Sequence, residues 1–337
     1  MLRARAVLGM LLTAGLAGAP AAQAQSVADF YRGKTLTMLV GVAVGGEYDL
    51  LARLVAKHIV RQLPGNPSTV TQNVTGASGL KVLNYLYNQA PQDGTYMLLV
   101  QPTLPAVQAV GIAGVAFDAA RLHWIGTIAP STETLVLWHA AGAKTVAQAR
   151  EREIIIGAIS RGSSTYAFPA LMNELLGTRF KIVTGYNGGT QINLAMERGE
   201  VEGRDNSWAS WKTTKPDWVK EKRIIAIAQA GPRAPDLDAP SVEAMAATPA
   251  DRRIMELVLS GGNLGRPFAV APGVPEQRVA ALRAAFDAVM KDADFRAEAA
   301  ALQFDVAPVD GASLQKIVEE VVSTPKDLAA RAKHFLE

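Results

Sequence analysis

Between residues 33 and 100, short apolar runs alternate with amphipathic stretches in an order that leaves few folds open. Residues 35–40 read as a buried strand, and across 49–63 the side chains of Leu50, Leu51, Leu54, Val55, His58 and Ile59 share one helical face. Pro64-Gly65-Asn66-Pro67 stops that helix. A strand at 69–74, a helix at 80–89 closed by Pro91 and the Asp93-Gly94 turn, and a strand at 96–100 complete a βαβαβ unit. Strands joined through helices in this way form a parallel sheet with helices on its faces.

A second series begins after Trp124. It has strands at 135–138, 154–159, 181–184, 201–204 and 224–229, with helices at 145–152, 163–176 and 190–198, the last capped by Gly199. The tail from Pro275 reads as mainly helical, with a long stretch to Met290, a short strand at 304–309 and a final helix after Pro325. Residues 267–275 are proline-rich and predict a crossing strand. A length of 337 residues suits two domains at roughly 100–200 residues each. With no repeat or flexible linker between the series, the expectation is a discontinuous domain 1, 26–128 plus 263–337, and a domain 2, 129–262, joined by crossing strands.

The first 24 residues stand apart. Arg3 and Arg5 precede an apolar run from Ala6 to Leu16, and Ala22-Gln23-Ala24 supplies a small-x-small cleavage site, the pattern of an export leader. The run is far short of the roughly 20 residues that span a bilayer. Cleavage predicts Gln25 as the mature N-terminus and a periplasmic location. The leader holds two arginines and no acid, so its removal brings the formal charge of +3 close to neutrality. No cluster of Lys or Arg interleaved with aromatics offers a track for nucleic acid. The absence of cysteine excludes disulfides, thiolate metal sites and cysteine nucleophiles.

The glycines mark where a ligand would sit. Gly45-Gly46 lies between the first strand and helix, and Asn73-Val74-Thr75-Gly76-Ala77-Ser78-Gly79 between the second strand and helix. Arg161-Gly162-Ser163-Ser164-Thr165 and Tyr186-Asn187-Gly188-Gly189-Thr190 fill equivalent junctions in the second series. Ligands of open α/β sheets bind beyond the carboxyl ends of the strands, where glycine lets backbone N–H groups approach an anion at a helix N-terminus. Each junction alone is equally a tight turn or N-cap; four of them divided between two series favour a binding role. Asp49 either pairs with Arg53 one turn on, or hydrogen-bonds the glycine loop and shapes it, or meets an amine on the ligand. Trp208, Trp211 and Trp218 cluster beside Asp205, Asn206 and Ser207, and Trp208 suits a ligand wall whereas Trp218 suits packing.

Enzyme motifs do not emerge from the same residues. Gly41-Val42-Ala43-Val44-Gly45-Gly46 lacks the dinucleotide spacing, and Gly76-Ala77-Ser78-Gly79 misses a nucleophile elbow by one residue. His58, His123, His139 and His334 are isolated, without metal-ligand spacing. No cofactor or metal is expected.

Taken in order, Phe30-Tyr31-Arg32-Gly33-Lys34-Thr35, the run from Gly45 to Arg53, Pro64-Gly65-Asn66-Pro67, the run from Gln72 to Gly79, Asn84-Tyr85-Leu86-Tyr87, Asp93-Gly94-Thr95, Tyr186-Asn187-Gly188-Gly189, the run from Gly199 to Gly203 and the run from Gly265 to Pro275 resemble the extracytoplasmic solute receptors of tripartite tricarboxylate transporters, the Bug-type family. The resemblance covers nearly all of the mature chain. It implies an α/β fold of type II-like periplasmic binding proteins, with two domains, two crossing strands and a cleft that closes on a small organic carboxylate. It also implies a monomer that delivers its ligand to a membrane permease of one large and one small subunit. In the family one carboxylate is held by the glycine junctions of the first domain and specificity is set by the second. Carried over, the first group is Gly45, Gly46, Asp49, Asn73, Gly76, Ala77, Ser78 and Gly79. The second is Gly162, Ser163, Ser164, Thr165, Gly188, Gly189 and Asp205.

The chain departs from the family at Val44-Gly45-Gly46-Glu47, where Pro-Gly-Gly-Gly is usual. Glu47 is expected to point to solvent, or else the ligand is less anionic than usual, because like charges repel. Arg161 is expected to offset Glu47 from the second domain by a bidentate carboxylate contact, or to be a solvated loop charge. The other functions open to the chain are a ligand-sensing subunit for a membrane histidine kinase and an exported α/β hydrolase using Ser78 or Ser163.

Overall fold

The computed structural model describes residues 26–337; the expected leader lies outside the described residues. The strands are β1 (Thr35–Val40), β2 (Ser68–Asn73), β3 (Tyr96–Leu99), β4 (His123–Thr127), β5 (Glu133–Trp138), β6 (Ile154–Gly157), β7 (Phe180–Val183), β8 (Gly203–Ser207), β9 (Ile224–Ala230), β10 (Pro267–Val270) and β11 (Val309–Asp310). They form two sheets, in the orders β11-β4-β10-β3-β1-β2 and β7-β6-β8-β5-β9.

The expected βαβαβ unit is present: β1 pairs in parallel with β2 on one side and β3 on the other. Leu36, Met38, Leu39 and Val40 of β1 are buried on both faces, whereas no residue of the edge strand β2 is. The helix Glu47–Gln62 buries Leu51, Leu54, Val55, His58 and Ile59 against this sheet. Leu50 departs from the expected face and is exposed, its place taken by Ala52 and Ala56.

Around the second sheet the core divides by strand alternation. Leu135 and Leu137 of β5 face the helices Ser164–Leu176 and Pro249–Val258, while Val136 faces the helix Gly189–Glu197 and the tryptophan cluster. On β8, Asp205 stands opposite Leu135 and Arg204 opposite Val136. The two neighbouring residues therefore serve opposite faces of the sheet.

Several elements differ from their sequence reading. β4 was not expected; its bulged pairing with β10 seats Gly126, at φ 157°, against β10, so the apolar run around it is interrupted. The strand expected over 304–309 is reduced to β11, because only Val309 and Asp310 find partners on β4. The segment 267–275 supplies β10, which runs antiparallel between β3 and β4. The crossings between sheets are the segments 128–132 and 261–266, tied by the Ser131 amide donating to the Gly262 carbonyl at 2.7 Å. The last helix, Lys326–Leu336, packs Leu328, Ala332 and Phe335 into the core of the second sheet rather than the first.

Candidate functional site

The first glycine junction is built around Asp49, which is 1% exposed. Its carboxylate accepts from the Gly45 amide at 2.9 Å, from Asn73 Nδ2 at 2.9 Å and from Arg53 Nε at 3.0 Å. Asn73 Nδ2 also donates to the Val42 carbonyl at 2.9 Å, and Arg53 Nη2 donates to Asn73 Oδ1 at 3.1 Å. Asp49 thus holds the ends of β1 and β2 together and shapes the Gly45-Gly46 loop while pairing with Arg53. Burial pushes the carboxyl up, but these hydrogen bonds outweigh it and hold the group down at about 2.

At the end of β2 the chain makes a left-handed turn. Gly76, Ala77, Ser78 and Gly79 have φ of 139°, 45°, 50° and 87°. For Ala77 and Ser78 this backbone costs on the order of 1 kcal/mol each, and such outliers gather at ligand sites. A Cβ on Gly41 would lie 3.0 Å from Gly79 Cα, so the two junctions meet backbone to backbone.

Glu47 does not point to solvent. Arg266, on the return crossing, donates from Nε to Glu47 Oε1 at 2.8 Å, and its Nη2 bonds both that oxygen and Ser207 Oγ, the latter at 3.1 Å. Ser207 is the N-cap of the helix Trp208–Thr214 and accepts from the Ser210 amide. One arginine therefore links the start of a helix on the first sheet to the start of a helix on the second. Arg266 belongs to a motif quoted for the resemblance, yet its partner is remote in sequence, so the pairing could not be read there.

Glu47, Arg266 and Trp208 line a hollow of about 570 Å³, together with Lys212 and the segments 128–132, 232–236 and 304–307. Trp208 is one wall of this hollow, and its Nε1 donates to Asp236 Oδ1 at 3.1 Å. Trp218 is buried against Trp138 and Trp211.

In the second sheet, Ser163 Oγ donates to the Ser160 carbonyl and lies 2.6 Å from Thr165 Oγ1, which accepts from the Ile159 amide. These bonds close the junction 160–165 on itself. Asp205 is fully buried on the face of Ser164, and neither carboxylate oxygen has a hydrogen-bond partner among the described residues. Burial first, and the charge of Glu133 second, push its carboxyl well up. Gly188 and Gly189 begin the helix Gly189–Glu197 beside Arg204.

Arg161 lies elsewhere: its guanidinium sits 5.2 Å from the Tyr166 ring centre, in a separate surface hollow of about 530 Å³ shared with Glu174, Phe180 and His334. No described hydrogen bond joins the 76–79 turn to the junctions of the second sheet. The sequence reading did not single out Arg204 or Arg266; both are buried, and Arg266 lines the hollow of about 570 Å³. His58, His123 and His334 are bonded to Glu298, the Pro272 carbonyl and Glu174. Among the described residues no group of three His, Asp or Glu is placed to hold a metal ion, and no helix is long and apolar enough to cross a membrane.

No protein-family model matches this sequence, and no curated protein matches it. Solved structures do. MatC (Rpa3494) from Rhodopseudomonas palustris, with bound malate, is 19% identical with a TM-score of 0.66 over 88% of this chain and 99% of that one. Rpa4515 of R. palustris, with adipate, is 20% identical with a TM-score of 0.67 over 89% and 97%. The periplasmic binding protein BugD is 18% identical with a TM-score of 0.67 over 90% and 98%. The chain has the fold of these periplasmic binding proteins: two mixed α/β sheets joined by crossings.

Proposed function

We propose that this chain is a periplasmic receptor of the tripartite tricarboxylate, Bug-type family that captures a small organic carboxylate and hands it to a two-subunit membrane permease. The observation that carries the reading is the first glycine junction, where a buried carboxylate, Asp49, ties the Gly45 amide to Asn73 beside a strained turn, at the strand ends of a fold that in similar structures holds malate or adipate. Amides directed at one point favour an anion without a lysine. Glu47 is neutralised by Arg266, so it no longer argues for a weakly charged ligand.

The proposed units are 26–128 with most of 263–337, and 129–262, with the final helix docked on the second. Ligand contacts made from both sides of the cleft would stabilise the closed arrangement and present it to the permease, a population shift without turnover. Export through a cleaved leader and a monomeric state complete the reading. Isothermal titration of the purified protein with malate, adipate, citrate and aromatic acids, with product analysis of the same mixtures, tests it. Saturable binding with unchanged acid is expected, and slow conversion of any acid would overturn it.

A further inference from the structure

Asn187 is exposed, and Gly188 after it is the N-cap of the helix Gly189–Glu197. The Asn187 main-chain amide donates to Gln191 Oε1 at 2.9 Å, but its side-chain amide makes no hydrogen bond among the described residues. The Gly188 amide has no acceptor among them either, and nothing lies within 4 Å of where a Gly188 Cβ would stand. The other asparagines are protected. The side-chain amides of Asn73, Asn84, Asn88 and Asn173 donate to carbonyls, and Asn193 and Asn206 lie inside a helix and a strand. Asn66 precedes a proline, which has no amide proton, and the amide after Asn263 is bonded to the Ser260 carbonyl.

Asparagine is chemically labile where the next main-chain nitrogen is free to attack its side-chain carbonyl carbon. Gly188, without a side chain, leaves that approach open. The positive end of the helix favours the negative charge that builds as the nitrogen loses its proton to water. The Gly188 nitrogen then bonds to Asn187 Cγ, and Nδ2 takes up a proton and leaves as ammonia, closing a cyclic imide. Water opens the imide at either carbonyl. Opening at Cγ gives aspartate; opening at the main-chain carbonyl gives isoaspartate, whose backbone runs through Cβ and Cγ. The net change consumes water, releases ammonia and alters no oxidation state.

We infer that Asn187 is a site of spontaneous deamidation, which turns an uncharged junction acidic and, in its isoaspartyl form, unseats the start of the helix. The inference does not depend on which ligand the chain binds. The Gly188 carbonyl accepts from the Gln191 and Ile192 amides at 3.2 and 3.4 Å. Ile192, Ala195 and Met196 of the same helix pack with Val136 and the tryptophan cluster. An extra backbone carbon at position 187 strains the Asn187–Gln191 bond and the Gly188 cap together, and a disturbed N-cap loosens the helix it starts.

Ageing the purified chain at mildly alkaline pH, followed by peptide mapping with mass spectrometry, tests it. The peptide carrying Asn187 should gain the mass of an amide-to-acid exchange ahead of every other asparagine peptide, faster at higher pH, and divide into aspartyl and isoaspartyl forms. Asn187→Gln, whose longer side chain closes the ring poorly, should not gain it. The isoaspartyl fraction, separated by anion exchange, should melt about 2–4 °C below fresh protein. Asn187→Asp carries the same charge on an ordinary backbone and should melt within about 1 °C of fresh protein or above it. No gain at position 187, or an equal gain of that peptide in Asn187→Gln, would overturn the inference. An isoaspartyl fraction that melts like fresh protein would overturn the unseating of the helix.

Discussion

Arg266 donates from Nε to Glu47 Oε1 at 2.8 Å, joining side chains 219 residues apart in sequence. The arginine is 8% exposed and the glutamate 17%, so each desolvates the other and depends on it. Glu47→Gln keeps an oxygen that can accept from Arg266 but removes the charge that balances the buried guanidinium. We expect a loss of about 3 kcal/mol in urea unfolding. The double variant Glu47→Leu with Arg266→Met should recover most of it, and a double variant as unstable as Glu47→Gln would show that the pair is not the source.

Asp49 predicts acid sensitivity of definite sign. Its carboxyl titrates at about 2 in the folded chain against an ordinary 3.8, so it stabilises the fold above the unfolded value and loses that contribution as pH falls from about 4 toward 2. The contribution is at most about 2 kcal/mol. Comparing wild type with Asp49→Asn in urea should give a stability gap at pH 6 that shrinks by roughly two-thirds at pH 2.5. A gap constant across that range would mean the carboxylate charge does not matter.

What could be read in the sequence follows from what is local. β1, β2 and β3 and the two helices between them were legible because period and punctuation lie within a few residues of each other. β4 was not, since Gly126 breaks the run and only pairing with β10, far along the chain, makes it a strand. The glycine junctions were legible as positions, and the shaping role of Asp49 was among the alternatives open to that residue. The orientations of Glu47 and Arg161 were not legible, because each depends on a partner the sequence does not mark. Arg204 was hidden for a different reason: it closed a predicted strand, and only the register opposite Val136 shows which face it serves.

Gly46 and Gly76 separate binding from folding. Gly46 has φ −84° and nothing within 4 Å of an added Cβ, so Gly46→Val should fold with unchanged circular dichroism. If its amide faces the ligand, carboxylate affinity should fall at least about tenfold, a loss of about 1.4 kcal/mol. Gly76 sits at φ 139°, so Gly76→Val adds backbone strain of about 1–3 kcal/mol and should lower the melting temperature as well. Unchanged affinity in Gly46→Val would remove the first junction from the site.

Arg161 is expected to play no part in holding a ligand carboxylate. Arg161 is exposed, lies over Tyr166 and lines the hollow of about 530 Å³ on the flank of the Ser164–Leu176 helix. A solvated guanidinium over a phenol ring contributes on the order of 0.5 kcal/mol to stability and, facing that hollow, nothing to a carboxylate in the cleft. Arg161→Ala should therefore leave succinate and adipate affinities within about twofold of wild type, the range of a surface substitution. A selective loss of diacids over monoacids in Arg161→Ala would return this arginine to the site and require the 160–165 loop to swing toward the cleft when ligand binds.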